Sequence, residues 1–156
     1  MTLENTLLER LSEWQPPAGR QELFVAGNGW NTTVTADRSD VLGCLTWELQ
    51  LQSEGALAVE LENWAKAAAD RVTGLMEPLK VVEVDTTRKL AQLRSEAPLQ
   101  RGKKKMYYEL MLSQSGNATL RRFAKTDGAA GREQVAFAIT HEALAKVAYD
   151  VAEAGA

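Results

Sequence analysis

Histidine and cysteine are almost missing from this chain: its 156 residues hold one of each. A lone Cys44 excludes an internal disulfide and a cysteine zinc cluster, fits a reducing compartment, and inside its apolar run is expected to act as a small hydrophobe. The lone His141 precedes Glu142 as at the start of a zincin helix, but that motif needs a second histidine four residues on, where this chain has Ala145. No metal site is therefore expected. No Gly-x-Ser-x-Gly elbow occurs, which leaves little for a Ser-His-Asp triad, and a Cys44–His141 thiol dyad is the weaker reading beside that of a first-turn helix residue. A P-loop lysine motif is also missing, and Gly27-Asn28-Gly29 lacks the third glycine and following helix of a dinucleotide fingerprint, so it reads as a hairpin turn. No cofactor is expected. Apolar runs of transmembrane length are lacking, and Met1-Thr2-Leu3-Glu4-Asn5 has neither the basic start nor the apolar stretch of a signal peptide; the expectation is a cytoplasmic location with no membrane partner.

What is present describes one α+β domain over residues 1–156, long enough to bury about two-thirds of its unfolded surface. An opening helix has Thr2 as N-cap and Leu3, Leu7, Leu8, Leu11 and Trp14 on one face, and Pro16-Pro17 ends it. Two β-rich runs flank the Gly27-Asn28-Gly29 turn. After a turn at Asp37-Arg38-Ser39-Asp40, the alternation of Leu45, Trp47, Leu49 and Leu51 with Thr46, Glu48, Gln50 and Gln52 predicts a strand with one apolar face. Leu57, Leu61, Trp64, Ala68, Val72 and Leu75 predict a central helix over Ala56 to Leu79, with Ser53 as N-cap and Gly74 as C′ residue.

Strands are then expected over Leu79 to Val84, over 86–96, over Met106 to Leu112 and over Ala118 to Lys125, with a loop at 97–102. A last strand carries Val135, Phe137 and Ile139, and Thr140 caps a terminal helix with Leu144, Val147, Ala148 and Val151 on its buried stripe. The order α-βββ-α-ββββ-α implies a mainly antiparallel sheet of about six to seven strands with three helices on one face. Glu83 and Asp85 alternate on one strand and are read as solvated carboxylates.

Charge is the feature that rises above background. From Lys80 to Lys125 eleven basic residues stand against four acids, whereas the rest of the chain has seven basic and seventeen acidic residues. The candidate binding residues are Arg101, Lys103, Lys104 and Lys105, leading into Tyr107, with Arg121 and Arg122 on the neighbouring strand. Cations beside aromatic rings on a sheet suit single-stranded nucleic acid, whose backbone needs charge and whose bases need flat partners. The same residues also suit protein contact or simple protection of a hairpin end. Acidic helix positions, Glu4, Glu9 and Glu13 on the first helix and Glu60, Glu62 and Asp70 on the central one, offer the positive hairpin of a second copy a complementary surface.

In element order and acidic character the chain resembles the small dimeric chaperones of type III secretion, from which it departs by extra strands after the central helix. That resemblance implies a homodimer binding apolar peptide segments, and carries no residue across. The reading reached is a non-enzymatic binding module for a protein or peptide partner, with single-stranded nucleic acid binding through the basic hairpin 101–125 as the alternative.

Overall fold

The opening helix forms as its sequence predicts. In the computed structural model, which describes every residue from Met1 to Ala156, α1 spans Leu3–Glu13, the Thr2 hydroxyl accepts from the Asn5 N–H, and Leu3, Leu7 and Leu11 are buried. Strands β1 (Gln21–Gly27) and β2 (Trp30–Ser39) are joined by two residues, Asn28 with φ 58° and Gly29 with φ 83°. Two positive φ angles make a type I′ turn, whose twist matches that of the flanking strands. β2 runs on to Ser39, so the next turn lies at Asp40–Leu42 instead of 37–40. There the Asp40 carboxylate accepts from the Leu42 and Gly43 N–H groups before β3 (Gly43–Ser53) begins.

The central helix α2 is shorter than the periodicity implies, Leu61–Arg71 instead of Ala56 to Leu79. Ser53 stays in β3 and its hydroxyl turns to the Gly55 carbonyl; the N-cap position is Glu60, whose side chain makes no capping bond. A distant side chain takes over, for Gln114 Oε1 accepts from the Leu61 N–H at 2.9 Å. Val72 and Leu75 are nonetheless buried, because the non-helical segment after α2 crosses the same core. Gly74 serves close approach instead of a C′ turn: a Cβ there would lie 3.0 Å from Val147 Cγ2 and 3.1 Å from the Ala143 carbonyl oxygen.

The remaining elements are β4 (Leu79–Asp85), β5 (Leu90–Ser95), β6 (Leu99–Arg101), β7 (Lys104–Ser113), β8 (Asn117–Thr126), β9 (Arg132–Val135), β10 (Phe137–Thr140) and α3 (His141–Ala154). Every pairing is antiparallel, and the main order is β1-β2-β3-β8-β7-β5-β4. The sheet has ten strands, more than the expected six to seven. The segment expected as a loop contains β6, paired with β7, and the last expected strand is broken at Ala136 into β9 and β10. Those two pieces act as a wedge. β3 pairs β8 only where Leu49–Gln52 faces Leu120–Asn117; beyond that point β10 takes the edge of β3 over Gly43–Thr46 and β9 takes the edge of β8 over Arg122–Lys125.

The three helices share one face of the sheet, with Leu49, Leu51, Leu93, Leu110, Leu112 and Leu120 buried beneath them. Alternation along β3 fails at one place. A register shift sets Thr46 opposite Ala36 and Glu48 opposite Thr35, so Trp47 has no partner in β2 and the phase of the strand flips. Cys44 and Thr46 are therefore buried, while Leu45 and Trp47, expected in the core, are only half-buried, and Trp47 carries the Arg20 guanidinium 3.8 Å from its ring centroid. No helix is long and apolar enough to cross a membrane.

A cationic recess as the candidate functional site

Strand alternation makes β7 the frame of the site. Tyr108, Leu110 and Leu112 point to the core, which sends Lys105, Tyr107, Glu109 and Met111 to the face that bears no helix. The turn ahead of β7, Gly102-Lys103, has glycine first with φ 59°, as a type II′ hairpin requires, and displays the cations of β6 and β7 at its tip. Arg101, Lys103, Lys104 and Lys105 are all exposed and form no ion pair.

The other three expected residues are placed differently. Tyr107 is 8% exposed, with the Arg94 guanidinium 4.7 Å from its ring centroid and Phe123 at 6.1 Å; Phe123 is in turn covered by the Arg132 guanidinium at 3.6 Å. Arg121 pairs with Glu48 at 3.0 Å. Arg122 lies on the helix-bearing side, buried against Glu77 at 2.9 Å and 4.2 Å from the Tyr108 ring centroid, so it belongs to the core and not to the hairpin surface.

Sequence reasoning missed the residues that organise this face. Glu109 is 5% exposed, and Arg132 grips both of its oxygens, Nη1 to Oε2 at 2.5 Å and Nη2 to Oε1 at 3.3 Å. Gln92 donates to the same carboxylate at 3.0 Å and Arg94 approaches it to 3.7 Å. That bidentate link raises the Arg132 pKa further above its usual value, with the Tyr107 hydroxyl contributing as acceptor from Arg132 Nη1 at 3.2 Å. A lone acid in the middle of an apolar strand was the available signal for Glu109. Above it lies a recess of about 430 Å³ walled by Arg94, Lys105, Lys125 and Arg132, with Tyr107, Pro98, Ala130 and Gly131 completing it. Four cations wall the space and one carboxylate lies beneath it.

A second concavity, about 780 Å³, opens between Pro16-Pro17 and the start of β3. Behind its wall, Ser39 Oγ lies 3.4 Å from Cys44 Sγ and 3.2 Å from His141 Nε2, so a serine hydroxyl separates the two members of the thiol dyad. Burial pushes the Cys44 thiol up and the His141 imidazole down, which favours the neutral pair over thiolate and imidazolium. Asp40, its pKa lowered by the N–H groups of Gly43 and Leu42, opposes the effect on His141 without reversing it.

This placement makes stability depend on pH. Because burial holds the folded His141 pKa below the ordinary imidazole value of about 6.5, the unfolded chain takes up that proton first as pH falls. The stabilisation is complete above about pH 6.5 and is lost below it, down to the folded pKa. Thermal unfolding should give a lower midpoint at about pH 5.5 than at about pH 7.5, and His141→Asn should shrink the difference. An unchanged difference in the variant would show that other groups cause it. Compared with protein-family models, with curated proteins and with solved structures, the chain matches none.

Proposed function

We propose that the chain is a binding module without catalytic role, which docks an acidic segment of a protein or peptide partner on the tip of the β6–β7 hairpin and the recess beside it. The observation that carries this reading is the contrast between two sets of cations. Arg94, Arg121, Arg122 and Arg132 each have a carboxylate of their own chain, whereas Arg101, Lys103, Lys104 and Lys105 have none and stand together at a hairpin tip. Exposed cations concentrated in this way steer and hold an anionic surface. A second copy of the chain is one partner of this kind, since Glu9, Glu13, Glu60, Glu62 and Asp70 are exposed.

Charge alone supports the nucleic acid alternative. Tyr107 and Phe123, the rings that would receive bases, are buried and already faced by Arg94 and Arg132. The test is fluorescence anisotropy with a labelled peptide of alternating glutamate and leucine and with a labelled oligothymidylate, combined with sedimentation of the protein alone. Peptide binding that weakens about tenfold when Lys103, Lys104 and Lys105 are all changed to glutamine, and that falls with salt, is the expected result. Preference for the oligonucleotide, with a steep salt slope, would replace this reading by the other. A protein that sediments as a stable dimer would identify the partner as its own copy.

A further inference from the structure

Three like charges face one another directly across β7, β8 and β9. Lys105 is the register partner of Lys125, and Lys125 is the register partner of Arg132, so the three side chains project side by side from one face of the sheet. Like charges directly opposite on neighbouring strands destabilise a sheet, and of the three only Arg132 has an acid to offset it; the Lys125 ammonium donates instead to the carbonyls of Ala129 and Gly131. Arg94 completes the ring from the other side of Tyr107. Its Nε is enclosed without any hydrogen-bond partner, and the whole guanidinium makes no hydrogen bond, only the 3.7 Å approach to Glu109. Arg94 lines the recess with its side chain 39% exposed, which leaves its terminal N–H groups open to an acceptor there. The Tyr107 hydroxyl points the same way, for it accepts from Arg132 and so has its own proton to donate.

We infer that this recess is a subsite for a phosphate group, held by Arg94, Lys105, Lys125, Arg132 and the Tyr107 hydroxyl. The inference rests on the binding reading above and names the group that the module selects. Against four cations Glu109 supplies one negative charge, which leaves an excess that a single carboxylate does not match. A phosphate monoester brings about −1.5 to −2 at neutral pH and three acceptor oxygens. Glu109 has a second part to play: by holding Arg132 at both oxygens and Arg94 from below, it fixes the guanidinium groups before the ligand arrives.

Two sources offer this group, a phosphorylated side chain on a partner peptide and a free phosphate. NMR titration of the isotope-labelled protein with inorganic phosphate, with an acidic peptide carrying one phosphoserine, and with the same peptide unphosphorylated separates them. The expected result is saturable movement of the amide resonances of Lys105, Tyr107, Lys125 and Arg132, with the phosphopeptide binding at least about tenfold tighter than its unphosphorylated form. Tighter binding of the phosphopeptide than of inorganic phosphate assigns the ligand to a partner, and equal binding assigns it to the free ion. Arg94→Gln should weaken the phosphate preference about tenfold or more, while Arg10→Gln, on the exposed side of α1 and part of neither the hairpin nor the recess, leaves it intact. Equal affinity for the two peptides overturns the subsite. If the unphosphorylated peptide still binds, the hairpin reading survives; if neither peptide binds, both fall.

Discussion

Changing Glu77 to alanine should destabilise the protein by about 3–5 kcal/mol, among the largest losses any single surface-remote substitution here would cause. Glu77 and Arg122 are both buried, joined through Nη2–Oε2 at 2.9 Å and Nη1–Oε1 at 3.4 Å. Removing the acid leaves a buried guanidinium beside Tyr108 without its only carboxylate. The pair as a whole is worth far less than this figure, since both charges were taken from water to make it. Replacing both, as Glu77→Leu with Arg122→Met, should therefore recover most of the loss. Equilibrium denaturation in urea of the wild type, the single variant and the double variant decides the matter. A double variant as unstable as Glu77→Ala would mean that the ion pair itself, and not the orphaned charge, is what the fold requires.

Trp64→Ala should cost a comparable amount, about 3–5 kcal/mol, by a different route. Trp64 is fully buried in α2, packs at 5.9 Å against Trp30 of β2, and donates from Nε1 to the Val151 carbonyl at 2.9 Å. That carbonyl lies in the last turn of α3, where helix carbonyls run out of intrahelical donors. One side chain thus ties the central helix, the first meander and the end of the terminal helix together. Alanine leaves a cavity that three elements would have to collapse to fill. Trp64→Phe keeps most of the ring and loses the donor, so it should fall between wild type and Trp64→Ala in the same denaturation experiment. A loss below about 1 kcal/mol for the alanine variant would mean that the region repacks freely.

How much of this was legible in the sequence differs from element to element for physical reasons. Capping and periodicity are local, so α1, α3 and the Asn28-Gly29 turn follow directly from the residues that form them. The ends of α2 are not local. Its first N–H is capped from Gln114, and the apolar spacing beyond Val72 serves a loop instead of a helix. The β3 bulge at Trp47 is likewise set by β2, and a strand's own alternation cannot announce an extra residue. At the site, Arg101, Lys103, Lys104 and Lys105 could be read as an exposed cationic cluster because they adjoin in sequence. Arg94, Glu109 and Arg132 could not, since three separate strands bring them together. Burial of Tyr107 and Arg122 was hidden for the same reason: their covers, Arg94 and Glu77, come from other strands and loops.

The wedge formed by β9 and β10 has a consequence for how the chain becomes a protein at all. As the nascent polypeptide leaves the ribosome, β3 and β8 appear before the strand that separates them. Until then the native sheet offers them only four residue pairs with each other, and the halves that β9 and β10 later cover present bare amide edges to any other strand nearby. Synthesis thus delivers the keystone after the arch, and completion of the sheet waits for a segment that must enter its middle.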